Sequence, residues 1–285
     1  MERAFTVQKF QDWFTQQWVI LWGQKIIPND VPWLMGPFGE INGIGENFIY
    51  QLAEKESLIV KRKSETKGLL SSINALNLTE DEISKLSKTV MDFYEQTSKY
   101  QLKFYVKWNP FFKFFGFLIN KLFSQRINQL NIPIKNIHES EDLISEIIEL
   151  IDPLKNDVKY TIWLRKFKST DKVIYSGIYG TCTLPSGVTC IKAVFPLPKG
   201  NATVIMKPSI GGQKELILDS SGKKFGDAGF YFLLNDVKGN YWSKFHPSFT
   251  DKLIVGEKKD YLIAKQTLKL WNLTVVQFNY KIHKL

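Results

Sequence analysis

At 285 residues, 44% of them hydrophobic and 14% aromatic, the chain can bury a sizeable core, and disorder is not expected. The formal charge of +10 is uneven: residues 158–285 hold 20 Lys and Arg against 8 Asp and Glu, whereas residues 1–157 hold 18 against 20. A basic surface attracts phosphate of any kind, but only four of the 38 basic residues are Arg, the side chain that reads guanine bidentately, so sequence-specific nucleic-acid binding is set aside.

Residues 1–157 read as a mainly helical region. Trp13, Phe14, Trp18, Leu21 and Trp22 recur at near-helical spacing, which predicts a helix over 5–22 with an aromatic core face. Pro28 ends it, and the Pro- and Gly-rich run 31–39 reads as an ordered apolar loop. Gly43-Ile44-Gly45 lacks the preceding strand and third glycine of a nucleotide loop. A second helix is expected over 45–57. Thr79 and Glu82 form a capping box ahead of Ile83, Leu86, Val90, Phe93 and Tyr94, predicting a helix that runs toward Val106 and stops at Asn109-Pro110.

Phe111 to Leu130 combines a broad apolar arc with Lys113, Lys121 and Arg126. Burial is the expectation for most of it, with contact to an anionic membrane surface confined to the Phe111 and Phe112 end. The acidic stretch 139–157, seven carboxylates against Lys155, is expected as a helix or linker lying on the basic half. No secretory signal opens the chain, and the longest early uncharged run, 13–24, falls short of the roughly 20 residues that span a bilayer. A cytoplasmic location, at most peripheral to the membrane, is therefore expected.

Residues 158–285 form the organising half, an antiparallel β-barrel-like domain. Apolar residues stand at every second position in Ile191, Ala193 and Phe195, in Ala202, Val204 and Met206, and in Val276, Phe278, Tyr280 and Ile282. Strands are predicted near 158–168, 172–184, 188–197, 201–208, 214–220, 228–236, 240–250, 252–257 and 260–282, the last broken at Trp271-Asn272. The fold class is thus α+β, with a meander of about 8–10 strands closing into a barrel or a strongly curved sheet. In general form this is similar to the calycin-type ligand barrels, a likeness of architecture that no family motif accompanies. Within the meander, Pro185-Ser186-Gly187 reads as a hairpin loop that sets Cys182 opposite Cys190, expected as two thiols.

The common hydrolase, NTPase and zinc motifs are all missing, and His138, His246 and His283 have no second ligand at metal spacing, so neither a metal nor a cofactor is expected. Candidate ligand contacts are Arg165, Asp227, Tyr231 and His246. Arg165, the one Arg of the β half, shares a strand face with Thr161 and Trp163; turned inward it would clamp an anion, turned outward it would be a surface cation. Asp227 sits in a Gly-flanked turn before the aromatic strand Phe230-Tyr231-Phe232, and His246 precedes Pro247 at a strand end. The leading expectation is a binding protein for an apolar or amphiphilic small molecule, such as a lipid. A small-molecule enzyme using His246 and Asp227 is one alternative; a peripheral membrane or scaffold protein using the Phe111–Leu130 segment is the other.

Overall fold

The computed structural model describes residues 10–40, 45–62, 67–113 and 137–285. Its helices are α1 (Phe10–Trp22), α2 (Asn47–Lys55), α3 (Glu80–Lys85) and α4 (Lys88–Glu95). Its strands are β1 (Gln24–Ile26), β2 (Ile59–Lys61), β3 (Tyr100–Trp108), β4 (Ile137–Asp152), β5 (Asp157–Phe167), β6 (Val173–Thr183), β7 (Thr189–Leu197), β8 (Gly200–Ile210), β9 (Leu216–Asp219), β10 (Gly229–Asn235), β11 (Tyr241–Phe245), β12 (Phe249–Lys258), β13 (Tyr261–Leu270) and β14 (Leu273–Lys284).

Ten strands close an antiparallel barrel in the order β3, β4, β5, β6, β7, β8, β9, β12, β13, β14 and back to β3. Strand β8 divides one of its edges: Gly200 to Ile205 pair with β10, and Lys207 to Ile210 pair with β9. As a result β10, β11 and β1 leave the barrel as an extension of the sheet, and β2 adds to the far end of β4. The alternating residues of β7, β8 and β14 all enter the interior cluster, as their period of two requires.

The meander turns follow local chemistry. Cys182 pairs directly with Cys190, the Leu184 amide donates to the Val188 carbonyl at 2.9 Å, and Gly187 takes the left-handed conformation with φ +83°. Both thiols are free and buried, and burial pushes them up to about 11 and about 12. Trp271 and Asn272 break β13 from β14 with φ of 49° and 63°. The turn between β11 and β12 comes at His246 to Ser248, a few residues earlier than expected, because Pro247 has no amide to give to a ladder.

The N-terminal region carries the expected helices α1 and α2 ahead of the barrel, and departs from expectation beyond α3. The capping box at Thr79 forms, with the Glu82 amide donating to Thr79 Oγ1 at 3.2 Å and the Thr79 amide to Glu82 Oε2 at 2.9 Å. The helix nevertheless stops at Leu86, because the Ser87 amide donates to the Lys214 carbonyl and its hydroxyl donates to Glu257, ties that only the barrel supplies. Ser87 then caps α4 through the Thr89 amide. Past Glu95 the chain is strand β3, not helix: Tyr100, Leu102, Phe104, Val106 and Trp108 alternate and are all buried.

The acidic stretch 139–157 is likewise not a helix but most of strand β4 and its turn. Its backbone is paired on both sides by β3 and β5, and Glu146 and Glu149 meet Arg62 and Lys67. The hairpin to β5 pairs Asp152 with Asp157, so strands from both sides of residue 157 share one sheet. Of the Phe111 to Leu130 segment only residues 111–113 lie among those described; Phe112 is buried and Phe111 exposed.

The outer face of the barrel is covered in pieces. Helix α2 lays Phe48, Ile49, Leu52 and Ala53 over Ile148, Leu150, Ile162, Leu164 and Ile178. Trp33 and Leu34 cover Cys182, Cys190, Ile205, Tyr231 and Leu233, and α1 packs Val19 and Ile20 on Leu234 and Trp242. Several strands are therefore apolar on both faces.

Candidate functional site

The barrel interior is not filled. A cavity of about 260 Å³ lies inside it, lined by strand residues together with Leu69, Leu70, Phe93 and Tyr94 from outside the strands. Its space comes from small residues at inward positions, Ala193, Ala202 and Ala264.

Most of the lining is apolar or aromatic, and two charged side chains enter it: Arg165 and Asp251, each 6% exposed. The Arg165 guanidinium lies 4.0 Å over the Trp163 ring and 4.6 Å over the Tyr175 ring, and Nη2 donates to the Tyr179 hydroxyl at 3.2 Å. Trp163 is itself fixed by a 2.8 Å bond from its indole nitrogen to Ser145 Oγ. Arg165 Nε has no partner, and among the described residues no carboxylate pairs with the guanidinium. Burial works against its charge, while the Tyr179, Tyr280 and Tyr175 hydroxyls facing it favour that charge, with a net upward direction. It remains a cation.

On β12, Asp251 Oδ2 accepts from Gln266 Nε2 at 2.6 Å, and the Asp251 amide donates to Ser220 Oγ at 2.7 Å. Its Oδ1 has no partner. Burial pushes the carboxyl up to about 7, the Gln266 bond opposes that, and the Asp219 charge adds to it. Tyr175, Tyr179 and Tyr280 line the same cavity and respond to both the Arg165 and the Asp251 charge. The Tyr280 hydroxyl, close enough to Arg165 to favour its charge, makes no hydrogen bond of good geometry.

Of the four candidate contacts read from the sequence, the structure brings Arg165 into the cavity and places the other three elsewhere. Asp227 Oδ2 accepts from the amides of Lys223 and Lys224 at 3.0 and 3.1 Å, a turn role. The Tyr231 ring packs against Trp33, Phe225 and Phe245 outside the barrel, and its hydroxyl donates to the Asp227 carbonyl at 2.5 Å. His246 stacks on Trp18 at 5.2 Å; burial and the Lys244 charge hold it down to about 4. No hydrogen bond joins His246 to Asp227.

Sequence reasoning missed Asp251, Gln266, Tyr175, Tyr179 and Tyr280. One signal was available. Phe249, Asp251, Leu253 and Val255 share a face by alternation, as do Leu262, Ala264, Gln266 and Leu268, so an acid and an amide stand at otherwise apolar inward positions. Among the described residues no cluster of three or more His, Cys, Asp or Glu has the makings of a metal site.

Comparison with known proteins adds one relation. The chain is similar to the uncharacterized membrane protein YndJ of Bacillus subtilis (strain 168), 25% identical over 201 residues, which is 66% of this chain. The match covers 33% of YndJ, so the chain spans about a third of that protein's length. No family model matches, and no solved structure matches. Among the described residues no helix is long and apolar enough to cross a membrane.

Proposed function

We propose that the protein binds a small amphiphile whose acidic head pairs with Arg165 inside the barrel. The observation that carries this reading is a cation, 6% exposed, that pairs with no carboxylate among the described residues and lies on the wall of an apolar cavity. Removing a charge from water costs several kcal/mol, and cation–π contacts to Trp163 and Tyr175, at about 2 kcal/mol each when desolvated, offset only part of that. A ligand carboxylate or phosphate would supply the missing partner, and the apolar wall would take its tail. The cavity is slightly below the usual range for small-molecule sites, roughly 300–1,000 Å³, which favours a short ligand.

Native mass spectrometry of the freshly purified protein tests for a retained ligand, and titration calorimetry tests the chemistry. Octanoate is expected to bind about ten-fold or more tightly than octylamine, and Arg165→Met to remove that preference. Equal binding of the amine, or unchanged octanoate binding by the variant, would overturn the reading.

A second reading, contact with an anionic membrane surface, is favoured by one feature. Phe111, Trp271 and Leu273 are 80%, 69% and 54% exposed at the end of the barrel where β3 runs out and β13 turns into β14. Lys107 and Lys269 are exposed beside them. Aromatic and aliphatic tips flanked by Lys suit the headgroup region of a bilayer, and the resemblance to a protein named as a membrane protein agrees with it. Sedimentation with phosphatidylglycerol vesicles, lost in Trp271→Ser with melting unchanged, is the expected result; equal sedimentation of the variant would sink it.

A further inference from the structure

We infer that the ligand carries a hydrogen-bond donor, a hydroxyl or an ammonium, at the end remote from its acidic head, and that Asp251 receives it. This rests on the proposal that Arg165 binds the head, and it adds the second recognition point.

Asp251 stands at an inward position of β12 between Phe249 and Leu253, where the fold asks only for an apolar side chain. Its burial is as deep as that of Arg165, yet the two are not paired with each other: Oδ2 is taken by Gln266, Oδ1 is unpartnered, and Arg165 keeps an unpartnered Nε. Tyr175, Tyr179 and Tyr280 line the same cavity. An acid and a base that shared one cavity for stability alone would be expected to meet, since each relieves the other's desolvation. Unpaired with each other on one largely apolar wall, each with an unused polar atom, they match a molecule that has an anionic group, an apolar middle and a donor.

The carboxylate is also set up to receive a group from the cavity. Gln266 fixes its rotation through Oδ2, and the Ser220 hydroxyl and the β13 ladder, where Asp251 pairs with Leu268, hold its backbone. The unpartnered Tyr280 hydroxyl offers a further donor or acceptor on the same wall.

The test is titration calorimetry of the full chain with hexanoate, octanoate and decanoate, each beside its ω-hydroxy and ω-amino derivative, so that chain length and donor chemistry vary separately. At the best length the donor is expected to tighten binding about ten-fold or more over the plain acid. Asp251→Leu should reduce that gain to less than about two-fold while plain-acid binding persists. Asp251→Asn, which keeps the shape and can still accept from Gln266, serves if the Leu variant does not fold; its amide then opposes a donor and the gain should again vanish. The two arms separate the sources: an ammonium ligand gains between pH 6 and 8 as Asp251 ionises, with Asp219, Tyr175, Tyr179 and Tyr280 the other titratable groups bearing on it, whereas a hydroxyl ligand gains at both pH values. If plain acids bind through Arg165 and no donor helps at any length, or if the gain survives both variants, this inference fails and the proposal about Arg165 stands. If no acid binds at all, that proposal fails and takes this one with it.

Discussion

Two aromatic clusters sit on opposite faces of the sheet and differ in what they do with their polar atoms. Outside the barrel, Tyr231 packs edge-on against Trp33 and Phe225, and its hydroxyl both donates to the Asp227 carbonyl and accepts from the Gly226 amide. Inside, Tyr280 lines a cavity with its hydroxyl unpartnered, beside a guanidinium that pairs with no carboxylate among the described residues. Both clusters are rich in Tyr, Trp and Phe, so composition does not distinguish them. The difference is that the outer cluster satisfies its own polar groups and fills its own space, and the inner one leaves both to be completed.

That contrast predicts opposite responses to substitution. Tyr231→Ala should lower stability by about 3–5 kcal/mol in urea denaturation, the usual cost of deleting a large buried ring, with the proposed octanoate-over-octylamine preference unaltered in whatever remains folded. A loss below about 1 kcal/mol would mean that the outer cluster is not packed as described.

A smaller and pH-dependent effect is expected at Asp251. Its folded carboxyl is raised to about 7 from an ordinary value near 3.8, so it holds its proton in the folded state after the unfolded chain has lost it. Its contribution to stability is thus fully present below about pH 4 and is lost as pH rises through 7. Asp251→Asn should therefore gain on the wild type by a few kcal/mol at pH 8 and by little at pH 4, read from melting curves across that range. His246 slopes the other way: held down to about 4 from 6.5, it contributes stability that is present above about pH 6.5 and lost as pH falls through 4. In the wild type the two slopes oppose each other between pH 4 and 6.5; the Asn variant, without the Asp251 slope, should rise from pH 4 to 6.5 and then level off, which isolates the histidine. A variant equal to wild type at pH 8 would show that Asp251 is not buried as an acid.

The sequence was informative where one physical rule acted alone. Strands β5 to β14 were legible because inward and outward positions alternate and turns carry Gly, Pro or Asn, and the Cys182 and Cys190 pairing followed from a three-residue loop. Strand β3 carried the same signal in Tyr100, Leu102, Phe104, Val106 and Trp108, but the capping box at Thr79 suggested that one helix ran on through it. At β4, seven carboxylates hid a strand whose ladder partners and counter-cations come from elsewhere in the chain.

Arg165 marks the division most clearly. Alternation alone put it on a face with Trp163, opposite the more apolar Ile162 and Leu164, and left both the inward and the outward reading open. Both faces are in fact buried, because α2 covers Ile162 and Leu164 from outside. By itself the sequence determined the strands, their turns and the supply of aromatic residues, since those follow from local backbone preference and a period of two. Only the tertiary structure decided which face encloses the cavity, that Arg165 and Asp251 share it, and that Asp227, Tyr231 and His246 do not. Those facts depend on how the barrel closes and on what covers its outer surface, and these arise from contacts between residues far apart in the chain.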